Sequence, residues 1–215
     1  VLDRGPVNGV FSKVFERNAY YGHQDSLCEL IYGNQEDYNL VDKIVADERL
    51  QKIMSKMQIA CKGNVFFKDN GELLYQQNNV SVPFKVANLS TGLKSFAILQ
   101  TLLLNGAIKD GSLIILDEPE IHLHPEWQLL FAELIVMLQK EFNLHILLNT
   151  HSPYFLQAIE VFAEKYGIND KCEYYLSYNE HEESFVKRVT GNLEEIYAKL
   201  ARPLQVLENL RYADE

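Results

Sequence analysis

Two short aliphatic runs, SLIIL (112–116) and LHILLN (144–149), constrain the fold more than any other feature of the chain. Each is the length of a strand, and the first is bounded by KDG and by Pro119. Such runs read as strands of a parallel sheet, and SLIIL as a buried one. Between them, HPEWQLLFAELIVMLQKEF places Trp127, Leu130, Phe131, Leu134, Ile135 and Leu138 at helical spacing, with Pro125 at the favoured first helical position. After the second run, SPYFLQAIEVFAEKYG (152–167) reads as a helix capped by Ser152, with Pro153 next. Strand, helix, strand, helix predicts a parallel α/β unit with a right-handed crossover. Ligands of such sheets sit at the carboxyl ends of the strands. Those ends carry Asp117, Glu118 and His151.

Upstream, the texture divides near residue 62. Residues 1–62 read as a mainly helical segment, with a short helix in SLCELIYG (26–33) ended by Gly33 and a longer one over 38–57. From Asn64, NVFFKDNGELLYQQNNVSVPF reads as short strands around the DNG hairpin signal at 69–71. Ser90 then precedes an almost continuous apolar run, Phe96 to Leu104, which predicts a buried helix with Gly106 near its end. The tail reads as one more hairpin, CEYYLSY (172–178) with SFVKRV (184–189), and a short helix over 193–200.

With 215 residues, 47% hydrophobic and 23% charged, the chain suits one domain with a sizeable core. A formal net charge of -10 argues against a surface dominated by nucleic-acid contacts. Cys28, Cys61 and Cys172 are far apart and form no CxxC, which reads as free thiols in a reducing, cytoplasmic setting without a zinc site. The longest apolar stretch, LLFAELIVML (129–138), is too short to span a bilayer and carries Glu133, so no membrane partner is expected.

Two carboxylates side by side at a strand end repel each other unless a cation or a substrate proton needs them. One carboxylate is enough to hold a hydrated Mg2+, which leaves the other to orient a water as general base. A histidine one strand away, His151, could donate to a phosphate oxygen. In LSTGLKS, Ser90 reads as a helix cap, and Gly92 allows an anion to approach the free amides of the first turn, with the charge of Lys94 nearby. His122 and His124 form H-x-H without an evident third ligand, and read as cap or interface residues.

The order LS-x-G, then LIILDEP, then NTHSP resembles the ABC-type ATPase superfamily, the group that includes SMC and recombination-type ATPases. DEPEIHLHP together with THSP most resembles bacterial AAA-family ATPases related to OLD proteins and to anti-phage ATPases. The likeness covers roughly residues 85–165. It implies an α/β ATPase head lobe over 63–215, a parallel sheet core flanked by helices, in a homodimer of heads that uses ATP and Mg2+. LSTG would be the signature motif, LIILDE the Walker B strand, PEIHLHP the D-loop and NTHSP the switch. The resemblance implies that Asp117 holds Mg2+ through water, Glu118 is the catalytic base and His151 contacts the γ-phosphate. It further implies that Ser90, Thr91, Gly92 and Lys94 serve ATP bound to a second subunit, while Glu120, His122 and His124 line the dimer interface.

One departure from the family is plain: G-x-x-x-x-G-K-[ST], which cradles the phosphates, is absent from these residues. With Val1 rather than Met at the start, the expectation is the C-terminal part of a longer ATPase, inactive alone, whose dimer closure controls an effector or acts on DNA. A non-enzymatic, nucleotide-gated or degenerate binding module is the alternative. An OLD-like nuclease is a second, although NEHEES (179–184) reads as a solvated turn and no acidic cluster for two metals follows His151.

Overall fold

The apolar run after Ser90 folds as expected, into the helix around which the other elements collect. The computed structural model describes residues 23–32, 47–68, 72–181 and 183–212. Among them the order is α1 (His23–Tyr32), α2 (Glu48–Met57), β1 (Gly63–Phe67), β2 (Leu73–Gln77), β3 (Phe84–Lys85), α3 (Thr91–Leu104), β4 (Leu113–Asp117), α4 (Pro125–Phe142), β5 (His145–Asn149), α5 (Pro153–Tyr166), β6 (Tyr175–Glu180), β7 (Glu183–Arg188) and α6 (Glu194–Tyr212). Of the helix expected over 38–57, residues 48–57 are helical, with the Asp47 side chain accepting from the Arg49 amide; 38–46 lie outside the described residues. Gly33 and the DNG turn at 69–71 also lie outside them, but the strands flanking that turn pair antiparallel, Phe67 opposite Leu73.

The core lies where α2, α3 and α4 meet the β1–β2–β3 sheet. Phe96, Ile53, Met57, Leu134 and Phe155 are fully buried and belong to one cluster. Phe96 sets its ring edge-on to Trp127 and Phe131, at centroid distances of 5.8 and 5.0 Å. Such pairs add roughly 0.5–1.5 kcal/mol beyond the area they bury. The polar side chains of α3 that enter this core are satisfied locally: Thr101 donates to the Ala97 carbonyl, and Gln100 meets Cys61 and Asn64. Gly106, at a φ of 67°, lets the chain leave α3 while the Ala107 amide returns to the Leu102 carbonyl.

β4 and β5 pair in parallel, with Ile115 opposite Leu147 and Asp117 opposite Asn149. α4 connects the two parallel strands, as expected. The expected burial of the strand is not found on both faces. Ile114, Leu116, Ile146 and Leu148 pack on the core, whereas Leu113, Ile115 and Leu147 are 67, 65 and 61% exposed. Alternation along a strand sends every second side chain to the other face, and among the described residues helices cover only one face.

The tail departs from expectation in one respect. The β6–β7 hairpin forms, but the short helix expected to end at Leu200 runs on to Tyr212 with Pro203 inside it. Proline deletes one hydrogen bond of the helix without ending it. Its first turns pack Ile196 against Leu156 and Val189, and residues 202–211 are exposed.

Candidate active site at the ends of the parallel strands

The parallel register decides which polar residues meet. Because Asp117 and Asn149 are partners, the Asn149 side-chain amide donates to Asp117 Oδ1 at 2.8 Å. One residue on, the Glu118 amide donates to the Asn149 carbonyl at 2.9 Å and extends the ladder beyond the strand. Glu118 then takes a φ of 44°, in the left-handed region that a side chain with a Cβ rarely occupies. A regular strand would send Asp117 and Glu118 to opposite faces. The left-handed turn breaks that alternation, and Glu118 Oε1 lies 3.0 Å from His151 Nε2. Backbone strain of this kind costs about 1–3 kcal/mol and is characteristic of functional sites.

The loop after β5 is held from below. Thr150 donates its hydroxyl to Glu120 Oε1, and the Ser152 amide donates to Thr150 Oγ1. Ser152 caps α5 as expected, accepting from the Phe155 amide at 3.2 Å. Glu120 is only 4% exposed, so its side chain is inside the chain, while Ile121, His122 and His124 are exposed. Gln128, on the first turns of α4, donates to the carbonyls of Glu120 and Leu123.

The LSTG segment begins α3. Ser90 caps it, accepting from the Leu93 amide. Gly92 is buried against the turn that follows β4: a Cβ there would come within 2.8 Å of Leu123 Cδ2 and 3.0 Å of the His122 carbonyl oxygen. Glycine at this position therefore answers to close packing within the chain. Lys94 sends its ammonium to the Ala87 carbonyl at 3.0 Å, and Thr91 accepts at its carbonyl from Ser95. The two groups of site residues thus meet through the 120–124 turn, which touches Gly92 on one side and Thr150 on the other.

The donor set at the strand ends fits a hard cation. Asp117 is exposed, and a single carboxylate with water and phosphate oxygens satisfies Mg2+. Among the described residues no group of three or more His, Cys, Asp or Glu is arranged to hold a metal by itself. Cys61 is buried and Cys172 half-buried, both as free thiols; burial pushes each up from the ordinary thiol range. No helix of the described residues is long and apolar enough to cross a membrane. Asn149, Thr150 and Gln128 were not singled out from the sequence. The pairing of Asp117 with Asn149 across a parallel ladder is the signal that would have found the first.

Parallel strands joined by a helix, with an acid pair and a histidine gathered at their ends, make this an α/β domain with its polar groups at the carboxyl edge of the sheet. The chain belongs to the family described as "AAA domain, putative AbiEii toxin, Type IV TA system", which matches residues 29–157, more than half of its length. It is similar to the "Retron Ec83 probable ATPase" of Escherichia coli, 34% identical over 100 residues. That match takes in 41% of this chain, which spans 18% of the relative's length. Among solved structures, it is similar to one reported for ATP-driven dimerization and DNA stimulated activation of SMC ATPases. The TM-score is 0.47 at 13% identity, over 80% of this chain and 98% of the other. A second is the Smc head domain with an extended coiled coil bound to the C-terminal domain of ScpA, from Pyrococcus furiosus. There the TM-score is 0.46 at 14% identity, over 75% and 37% of the two chains.

Proposed function

We propose that this chain carries the hydrolytic side of an ATPase site, completed by a phosphate-cradling loop from outside these 215 residues. The contact between Glu118 and His151 at the strand ends carries the reading. Glu118 accepts a proton from the attacking water, and His151, next to it, donates to the terminal phosphate. Asp117 would hold Mg2+, and Asn149, which donates to its carboxylate, would keep that carboxylate oriented. Mg2+, when bound, neutralises charge on the phosphates. Ser90, Thr91 and Gly92 serve ATP held by a second subunit, so two copies close on shared nucleotides. His122 and His124, exposed beside that helix start, line the interface. What closure does, acting on DNA or releasing a defence effector, is analogy at the level of the family. Support for the ATPase part comes from the family match and from the retron relative's printed name.

The test is Glu118→Gln in the whole protein. The amide keeps the shape but cannot take a proton. ATP and Mg2+ binding should persist, since Asp117 is intact, while turnover falls by about a hundredfold or more. Turnover at the wild-type rate removes Glu118 from the role of base. A non-enzymatic, nucleotide-gated module would instead bind ATP without turnover even with Glu118 present.

A further inference from the structure

His151 is 74% exposed and has Glu118 as its polar partner, itself a third exposed. A contact between two such groups is screened by water and holds neither in place. Yet a hydrogen-bond donor is useful only when it is held within a fraction of an ångström of the atom it serves. The loop that carries His151 has to be fixed by something other than that contact.

The buried fixture is one residue earlier. Thr150 donates its hydroxyl to Glu120, whose carboxylate is enclosed by the chain. The same hydroxyl accepts from the Ser152 amide at 3.0 Å, so it closes the backbone around His151 into a tight turn. Ser152 in turn reaches Gln128 at 3.4 Å, and Gln128 donates back to the Glu120 and Leu123 carbonyls. Glu120 is therefore joined to both flanks of His151, by its side chain through Thr150 and by its backbone through Gln128 and Ser152. A carboxylate oxygen accepts more strongly than a neutral one, and a water-excluded bond does not compete with solvent. The other carboxylate oxygen, Glu120 Oε2, is buried and has no hydrogen-bond partner among the described residues. Packing alone would favour an apolar residue here, because an unpaired buried oxygen is destabilising.

We propose that Glu120 and Thr150 are positioning residues: a buried strut between the two loops that sets His151 against Glu118 for the terminal phosphate. The inference rests on the reading of Glu118 and His151 given above. It also differs from an interface role for Glu120, whose side chain lies within its own chain.

Thr150→Val keeps the shape and removes the hydroxyl, Thr150→Ser restores it, and Glu120→Gln keeps an acceptor for it. In this chain, without nucleotide, the 1H–13C cross-peaks of the His151 ring should move or broaden in Thr150→Val. They should stay at the wild-type positions in Thr150→Ser and Glu120→Gln. In the whole protein, Thr150→Val should lower kcat about tenfold with KM for ATP within about twofold, and Thr150→Ser should recover most of the loss. The double variant Thr150→Val, His151→Ala should be no slower than His151→Ala alone, since both changes remove one function. Losses that multiply in the double variant overturn the strut and indicate a general effect on folding. Unmoved ring peaks and a wild-type rate in Thr150→Val overturn it while His151→Ala is impaired. A Glu120→Gln variant that is slow with unmoved ring peaks overturns it too, and assigns the carboxylate another task. A wild-type rate in His151→Ala overturns the reading of the site itself.

Discussion

Single residues here are set by what their neighbours permit. Gly92 is small because the His122 carbonyl and Leu123 leave no room for a Cβ, and Glu118 is bent into the left-handed region by the turn it starts. A second carboxylate, on the tail, reports on charge more simply. Glu173 accepts from Arg188 at 2.8 Å and from Thr190 at 2.6 Å, and these bonds bring its pKa down from 4.5 to about 2. A depressed carboxylate pKa stabilises the fold fully above the unfolded value and loses that contribution as pH falls through the folded one. The window therefore runs from about pH 4.5 down to about pH 2. Glu173→Gln should flatten the fall of stability over that window, measured as urea midpoints at about pH 5 and about pH 2.5. Because the pair is exposed, the difference should also shrink in high salt. Equal slopes for variant and wild type would show that the ion pair does not persist in solution.

At the scale of elements, one buried carboxylate joins three helices. Glu133 on α4 meets Lys56 of α2 at 2.6 Å, Lys165 of α5 at 2.9 Å and the Tyr166 hydroxyl at 2.8 Å. Burial pushes this carboxyl up, but the hydrogen bonds from Lys56, Lys165 and Tyr166 outweigh it and hold the group below its ordinary range. In the sequence Glu133 looked like an interruption of an apolar stretch. Its partners lie 77 positions before and 32 after it, beyond the reach of any local pattern. Breaking a fully buried pair costs about 3–5 kcal/mol. Both lysines are partly exposed and regain water when the acid is removed, so Glu133→Ala should cost about 2 kcal/mol by urea unfolding. A loss below about 0.5 kcal/mol would mean the three helices pack without it.

For the molecule as a whole, the shared site is the claim most open to test. Ser90→Arg places a bulky cation at the start of α3. It should leave binding of ATP by one subunit nearly unchanged and abolish ATP-driven pairing, seen by light scattering. The cap itself is worth only about 1 kcal/mol, so the fold should survive. If two copies share their sites as proposed and one closed site suffices, a mixture of Ser90→Arg with Glu118→Gln subunits gives heterodimers with one doubly defective and one intact site. Part of the hydrolysis that each variant lacks should return. If Ser90→Arg weakens binding by the single subunit while pairing persists, LSTG does not act across the interface.

Much of this architecture was legible in the chain. Aliphatic runs of strand length and apolar spacing of helical period predicted β4, α4, β5 and α5, and the caps Ser90 and Ser152, because these are local properties. The acid pair and His151 were legible for the same reason, since a parallel crossover brings strand ends together. The last helix was expected only over 193–200; it runs on past Pro203 to Tyr212, because a proline weakens a helix locally and the rest of the helix can continue past it. That one face of β4 and β5 is exposed among the described residues was not legible, because an aliphatic run does not say how many of its faces are covered. Nor were the register of Asp117 with Asn149, the left-handed Glu118, or the bond from Thr150 to Glu120. These depend on which distant residues end up side by side, and only the packing of the folded chain decides that.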